Sequence, residues 1–106
     1  MNDASSGLTR VSYLYRDAGN YKFWGAFFID GKIARQDVEP YLFDDTGFVP
    51  EMVGLAPLRP ADGNEDDHFV HELGGFEPAE QGAPLCTAAE FVKRMQYMQK
   101  MGYFPR

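Results

Sequence analysis

LTRVSYLYR, DAGN and YKFWGAFFID run consecutively from residue 8 to residue 30, and their reading decides the fold. In the first piece Val11, Tyr13 and Tyr15 alternate with Ser12, Leu14 and Arg16, the period of a strand with two unlike faces. DAGN (17–20) has the chemistry of a turn, because Gly and Asn enter positive φ at low cost. YKFWGAFFID follows as a second strand, and Asp30 with Gly31 closes it with another turn signal. Two strands about a short turn predict an antiparallel hairpin over 9–30. The second strand is apolar on both sides. Phe23, Phe27 and Ile29 share one face, with a gap at Gly25, and Trp24, Ala26 and Phe28 share the other. Such a strand is expected to sit centrally with both faces covered. A helix is the expected cover for one face, and the middle of the chain or a second subunit for the other.

That helix is predicted over 87–101. Thr87 and Glu90 have the spacing of a capping box. Ala88, Phe91, Val92, Met95 and Met98, with Met101 following, recur along one helical stripe. Gly102 stops the helix and Pro105 prevents its resumption. Methionines also serve at adaptable partner surfaces, but at this spacing a core stripe is the expected role. Between hairpin and helix the pattern is weaker. Residues 34–43 are a marginal helix that Pro40 would end or kink. Residues 44–60 carry Gly47, Pro50, Gly54, Pro57 and Pro60. They predict a long packed loop with one helical turn at Pro50, since Pro suits a first helical position. HFVHEL then predicts a third strand near 68–73, ended by Gly74 and Gly75.

The chain has 106 residues and a mass of 12.0 kDa, the size of one domain with one core. The expected fold is α+β: a small antiparallel sheet packed by the C-terminal helix, with residues 1–7 as a frayed start. Cys86 is the only cysteine, which excludes an intramolecular disulfide and suggests a small buried hydrophobe. MNDASSG (1–7) has no basic start leading into an apolar run, so no signal peptide is expected. No stretch has the roughly 18 apolar residues a membrane span requires. The expected location is therefore cytoplasmic.

The net charge of −6 is uneven, with Arg59 the only Lys or Arg between Asp37 and Glu80. An acidic middle opposes binding to phosphate backbones and suits solubility or a basic partner surface. KFWGAFF has some likeness to an RNA-stacking strand, but lacks the glycine after its basic residue. Nucleic acid is not an expected partner.

DDHFVHEL (66–73) holds both histidines and is the most enzyme-like stretch. Imidazoles and carboxylates bind divalent transition metals, which makes His68, His71, Asp67 and Glu72, with Asp66 nearby, the candidate ligands. Backbone phase decides the matter. On a helix the two histidines would share a face, whereas on a strand residues three apart face opposite ways. Val70 and Phe69 favour the strand, with His71 half-buried and His68 beside Glu72 in water. No phosphate loop, dinucleotide fingerprint or nucleophile elbow occurs. No catalytic residue is assigned and no cofactor is expected.

Taken together, YLYRDAGNYKFWGAFFIDG, FVPEMVGLAPL and DDHFVHEL resemble the pattern of a family of small uncharacterised bacterial proteins with no assigned activity. The resemblance covers most of residues 11–73. It implies a bacterial or phage-related intracellular protein and carries over no functional residue.

Nine Phe, six Tyr and one Trp exceed what so small a core hides, so some rings should line an interface. The expected function is a non-enzymatic, acidic protein-interaction module, a subunit or inhibitor in a bacterial defence or mobile-element system. Its expected contact surface is the aromatic hairpin at Tyr13, Tyr15, Arg16, Tyr21 and Trp24. The partner would be another protein or a second copy. The rival is a metal-dependent or His–carboxylate enzyme centred on DDHFVHEL.

Overall fold

A computed structural model of the chain describes residues 7–16, 19, 21–58 and 70–102. The hairpin forms as predicted. Strand β1 (Leu8–Arg16) pairs antiparallel with β2 (Lys22–Asp30), in a register running from Leu8 opposite Asp30 to Arg16 opposite Lys22. Three further strands complete one sheet: β3 (Gly47–Phe48), β4 (His71–Ala79) and β5 (Pro84–Thr87). The order is β3-β4-β1-β2-β5. Helix α1 (Ala88–Lys100) follows β5 directly, giving an α+β fold.

The expected strand near 68–73 corresponds to β4, but with different limits. Of the stretch before His71 only Val70 is described, and it lies outside the strand. At the other end the strand continues through the two glycines that were expected to end it. The pairing of β1 with β4 shifts between Val11 and Tyr13, which marks a bulge. A Cβ on Gly74 would lie 2.5 Å from Ser12 Oγ, and the Gly75 N–H donates to that same Oγ at 2.9 Å. The glycines permit close approach of two strands rather than a stop.

Helix α1 forms where predicted, with only the threonine half of the capping box. Thr87 Oγ accepts the Glu90 N–H at 3.1 Å, while the Glu90 carboxylate lies against Arg94 at 3.4 Å. Gly102 ends the helix at φ 83°. Phe91, Met95 and Met98 are its buried residues, and each contributes roughly 1.5–3 kcal/mol by burial. The marginal helix of 34–43 resolves into two 3-10 turns, Arg35–Asp37 and Glu39–Tyr41, with Pro40 inside the second. The turn at Pro50–Val53 is present, closed by Gly54 at φ 90°.

One core joins these parts. Val11, Tyr13, Phe27 and Ile29 of the hairpin meet Val38, Leu42, Phe48, Val49 and Val53 of the middle segment and the three helical residues. The irregular segment is fixed by long side chains reaching its carbonyls. Arg94 Nη1 donates to Val53 O, and Gln99 Nε2 to Pro40 O, both at 2.9 Å. Helix and middle segment therefore share one sheet face, which corrects the expectation that they cover both sides of β2. On the other face Trp24 and Ala26 remain exposed. Alternation fixes which residues share a face but not whether a layer covers it.

Candidate interaction surface and the buried histidine

Strand alternation places His71 and Glu72 on opposite faces of β4. His71 is fully buried, its ring 4.8 Å from that of Tyr15, 6.1 Å from Tyr13 and 6.5 Å from Phe48. Its Nε2 accepts the Leu58 N–H at 2.9 Å. The accepting nitrogen carries no proton, and its lone pair is already engaged. Leu58 is held from its other end too. Its side chain fills the gap above Gly25, where an added Cβ would lie 2.9 Å from Leu58 Cδ2. Histidine, leucine and glycine thus lock the middle segment onto the hairpin.

Glu72 turns the other way and meets Arg16, with Nε 2.6 Å from Oε2. This pair borders an open cleft of about 400 Å3 whose lining includes Phe43 and Thr46. His71 and Glu72 therefore cannot ligate one ion together. Asp67 and His68, with Asp66, lie outside the described residues. Among the described residues no group of three His, Cys, Asp or Glu side chains is placed to hold a metal ion.

The five predicted contact residues divide. Tyr13 and Tyr15 are buried, so they support the surface instead of forming it. Tyr13 donates its O–H to Ala56 O at 3.0 Å, and burial raises its pKa above the ordinary value of 10.0. Tyr15 is fully enclosed beside His71 and Phe23. By contrast Tyr21 is 72% exposed and Trp24 62%. Trp24 stands opposite Leu14, which stands opposite Glu72, and Lys22 stands opposite Arg16 at the hairpin end. Alternation puts Trp24, Lys22 and the Arg16–Glu72 pair on one face, while Tyr21 lies just outside the strand at the hairpin end.

Cys86 is half-buried on β5. Burial raises its pKa, Arg94 lowers it and Glu90 raises it again, with burial the largest cause. A thiol held protonated in this way is a weak nucleophile.

Sequence reasoning missed the Arg16–Glu72 pair, having set Glu72 beside His68, and missed Leu58 as the partner of His71. Neither is local, being 56 and 13 residues apart, and no spacing rule reaches them. Among the described residues no helix is long and apolar enough to cross a membrane. Comparison of the chain with protein-family models, curated proteins and solved structures finds no match to any of them.

Proposed function

We propose that the chain is a non-enzymatic protein-interaction module, acting as a subunit or inhibitor, whose contact surface is the open side of the aromatic hairpin. The observation that carries this reading is Trp24, 62% exposed in the middle of a strand. Large apolar side chains left in water on a sheet face mark contact surfaces more often than single scattered residues do. Trp, Tyr and Arg are also the residue types that dominate binding energy at interfaces. Trp24, Tyr21 and Arg16 would be the anchors, with Lys22 setting the rim charge.

The test is site-specific photo-crosslinking in the native host. A photoreactive residue at 24 should give discrete protein adducts, and one at the exposed helical position Lys93 should not. Equal labelling from both positions, or none from either, would remove the hairpin as the contact surface.

A further inference from the structure

We infer that the free edge of β2, residues 22–27, pairs antiparallel with the same edge of a second copy, in a two-fold register centred on Trp24. This inference rests on the interaction-module reading and names its partner. β5 pairs with β2 only from Phe28 to Asp30. Among the described residues, no strand and no loop backbone bonds residues 23–27 on the side away from β1. Their outward amides and carbonyls form an open template for another strand.

Native edges are usually kept single by a proline, a bulge or a charge pointing inward. Residues 23–27, FWGAF, contain no proline and no charge, and their pairing with β1 is without a shift. Residues 23–27 lack these blocking devices and present the exposed Trp24, with one charge, Lys22, at the outer end of the edge.

Symmetry and length select the register. Directly opposed residues in an antiparallel pair share a face, so a two-fold axis must pass through a residue position. The open edge ends at Phe28, which Pro84 already flanks. Centring on 24 pairs residues 22–26 within it. Trp24 then meets the partner's Trp24, and Lys22 faces the partner's Ala26. Each Lys22 also lies diagonal to the partner's Trp24, within reach of a cation–π contact. Centring on 25 would put Gly25 against the partner's Gly25 and give up these contacts. Lys22 is the only charged residue from 22 to 29, so no like charges are opposed at the seam.

A seam of five residues a side is smaller than the roughly 800 Å2 per partner of a standard interface. The dimer is accordingly weak, forming between roughly 10 μM and 1 mM. The sole tryptophan of the chain reports on it directly. Sedimentation equilibrium of the full chain should show the mass rising from 12.0 kDa toward twice that value. Trp24 emission should shift to the blue over the same concentrations.

Ala26 is exposed, so substitutions there leave the core intact, which circular dichroism checks. Ala26→Glu places a carboxylate opposite the partner's Lys22 and should lower the midpoint roughly fivefold. Ala26→Lys should raise it by a similar factor. A chain that stays monomeric at 1 mM overturns the proposal. So does a dimer indifferent to both substitutions with unchanged Trp24 emission, since another face would then be paired. A pure monomer whose position 24 still crosslinks a different protein removes self-pairing and leaves the interaction-module reading standing.

Discussion

At the scale of single residues, His71 is a structural acceptor in an aromatic enclosure. Replacing it with Leu would keep most of the volume and leave the Leu58 N–H without its partner. A loss of about 1–3 kcal/mol is expected, read from the urea midpoint, together with faster proteolysis near residue 58. An unchanged midpoint would show that the His71 bond contributes nothing. Tyr13 gives a prediction with a sign. Its folded pKa lies above 10.0, so above that pH the unfolded chain releases a proton that the folded chain keeps. Stability present below pH 10 should therefore fall as pH rises through the raised value. Tyr13→Phe should lose about 1 kcal/mol at neutral pH with its bond to Ala56, yet show a shallower alkaline decline than the native chain. Trp24→Ala should change stability by less than about 0.5 kcal/mol. That contrast with the buried Tyr15, where Ala should cost about 3–5 kcal/mol, separates contact residue from core residue by denaturation alone.

Among the elements, those that form through near neighbours in sequence were legible, and those that wait for distant partners were not. The hairpin announces itself through alternation and DAGN, and α1 through Thr87, the Phe91-Met95-Met98 stripe and Gly102. β3 and β5 are two and four residues long. They exist because β4 and the end of β2 offer them an edge, and neither carries a periodic signal of its own. Gly74 and Gly75 read as a stop because glycine usually weakens a strand. Only the position of Ser12, brought across the sheet, makes them a bulge. Gly74→Ala should accordingly destabilise the fold by about 1–3 kcal/mol, the range for overpacking, seen as a lowered thermal midpoint. Gly75→Ala should cost much less, since its added Cβ would meet Ser12 Oγ only at 3.9 Å. Equal effects at the two positions would contradict the bulge geometry. For the site, Trp24 and Tyr21 were legible as surplus aromatics, whereas the burial of Tyr13 and Tyr15 depends on which face the helix chose.

For the molecule as a whole, the chain packs its core on one face of its sheet. Helix, 3-10 turns and middle segment all pack on the side of Val11, Tyr13 and Ile29. The opposite face keeps the exposed tryptophan, and among the described residues the backbone of 23–27 is unpaired along the β2 edge. Placing α1 and the middle segment on one side makes a complete core and leaves one surface as the natural place for contact. The most direct measurement is amide hydrogen exchange of residues 22–27 in dilute and in concentrated protein. Alternate amides there should exchange fast in the dilute sample and become protected as concentration rises, while the amides of β1 stay protected throughout. Slow exchange of every amide of residues 22–27 at high dilution would contradict the account.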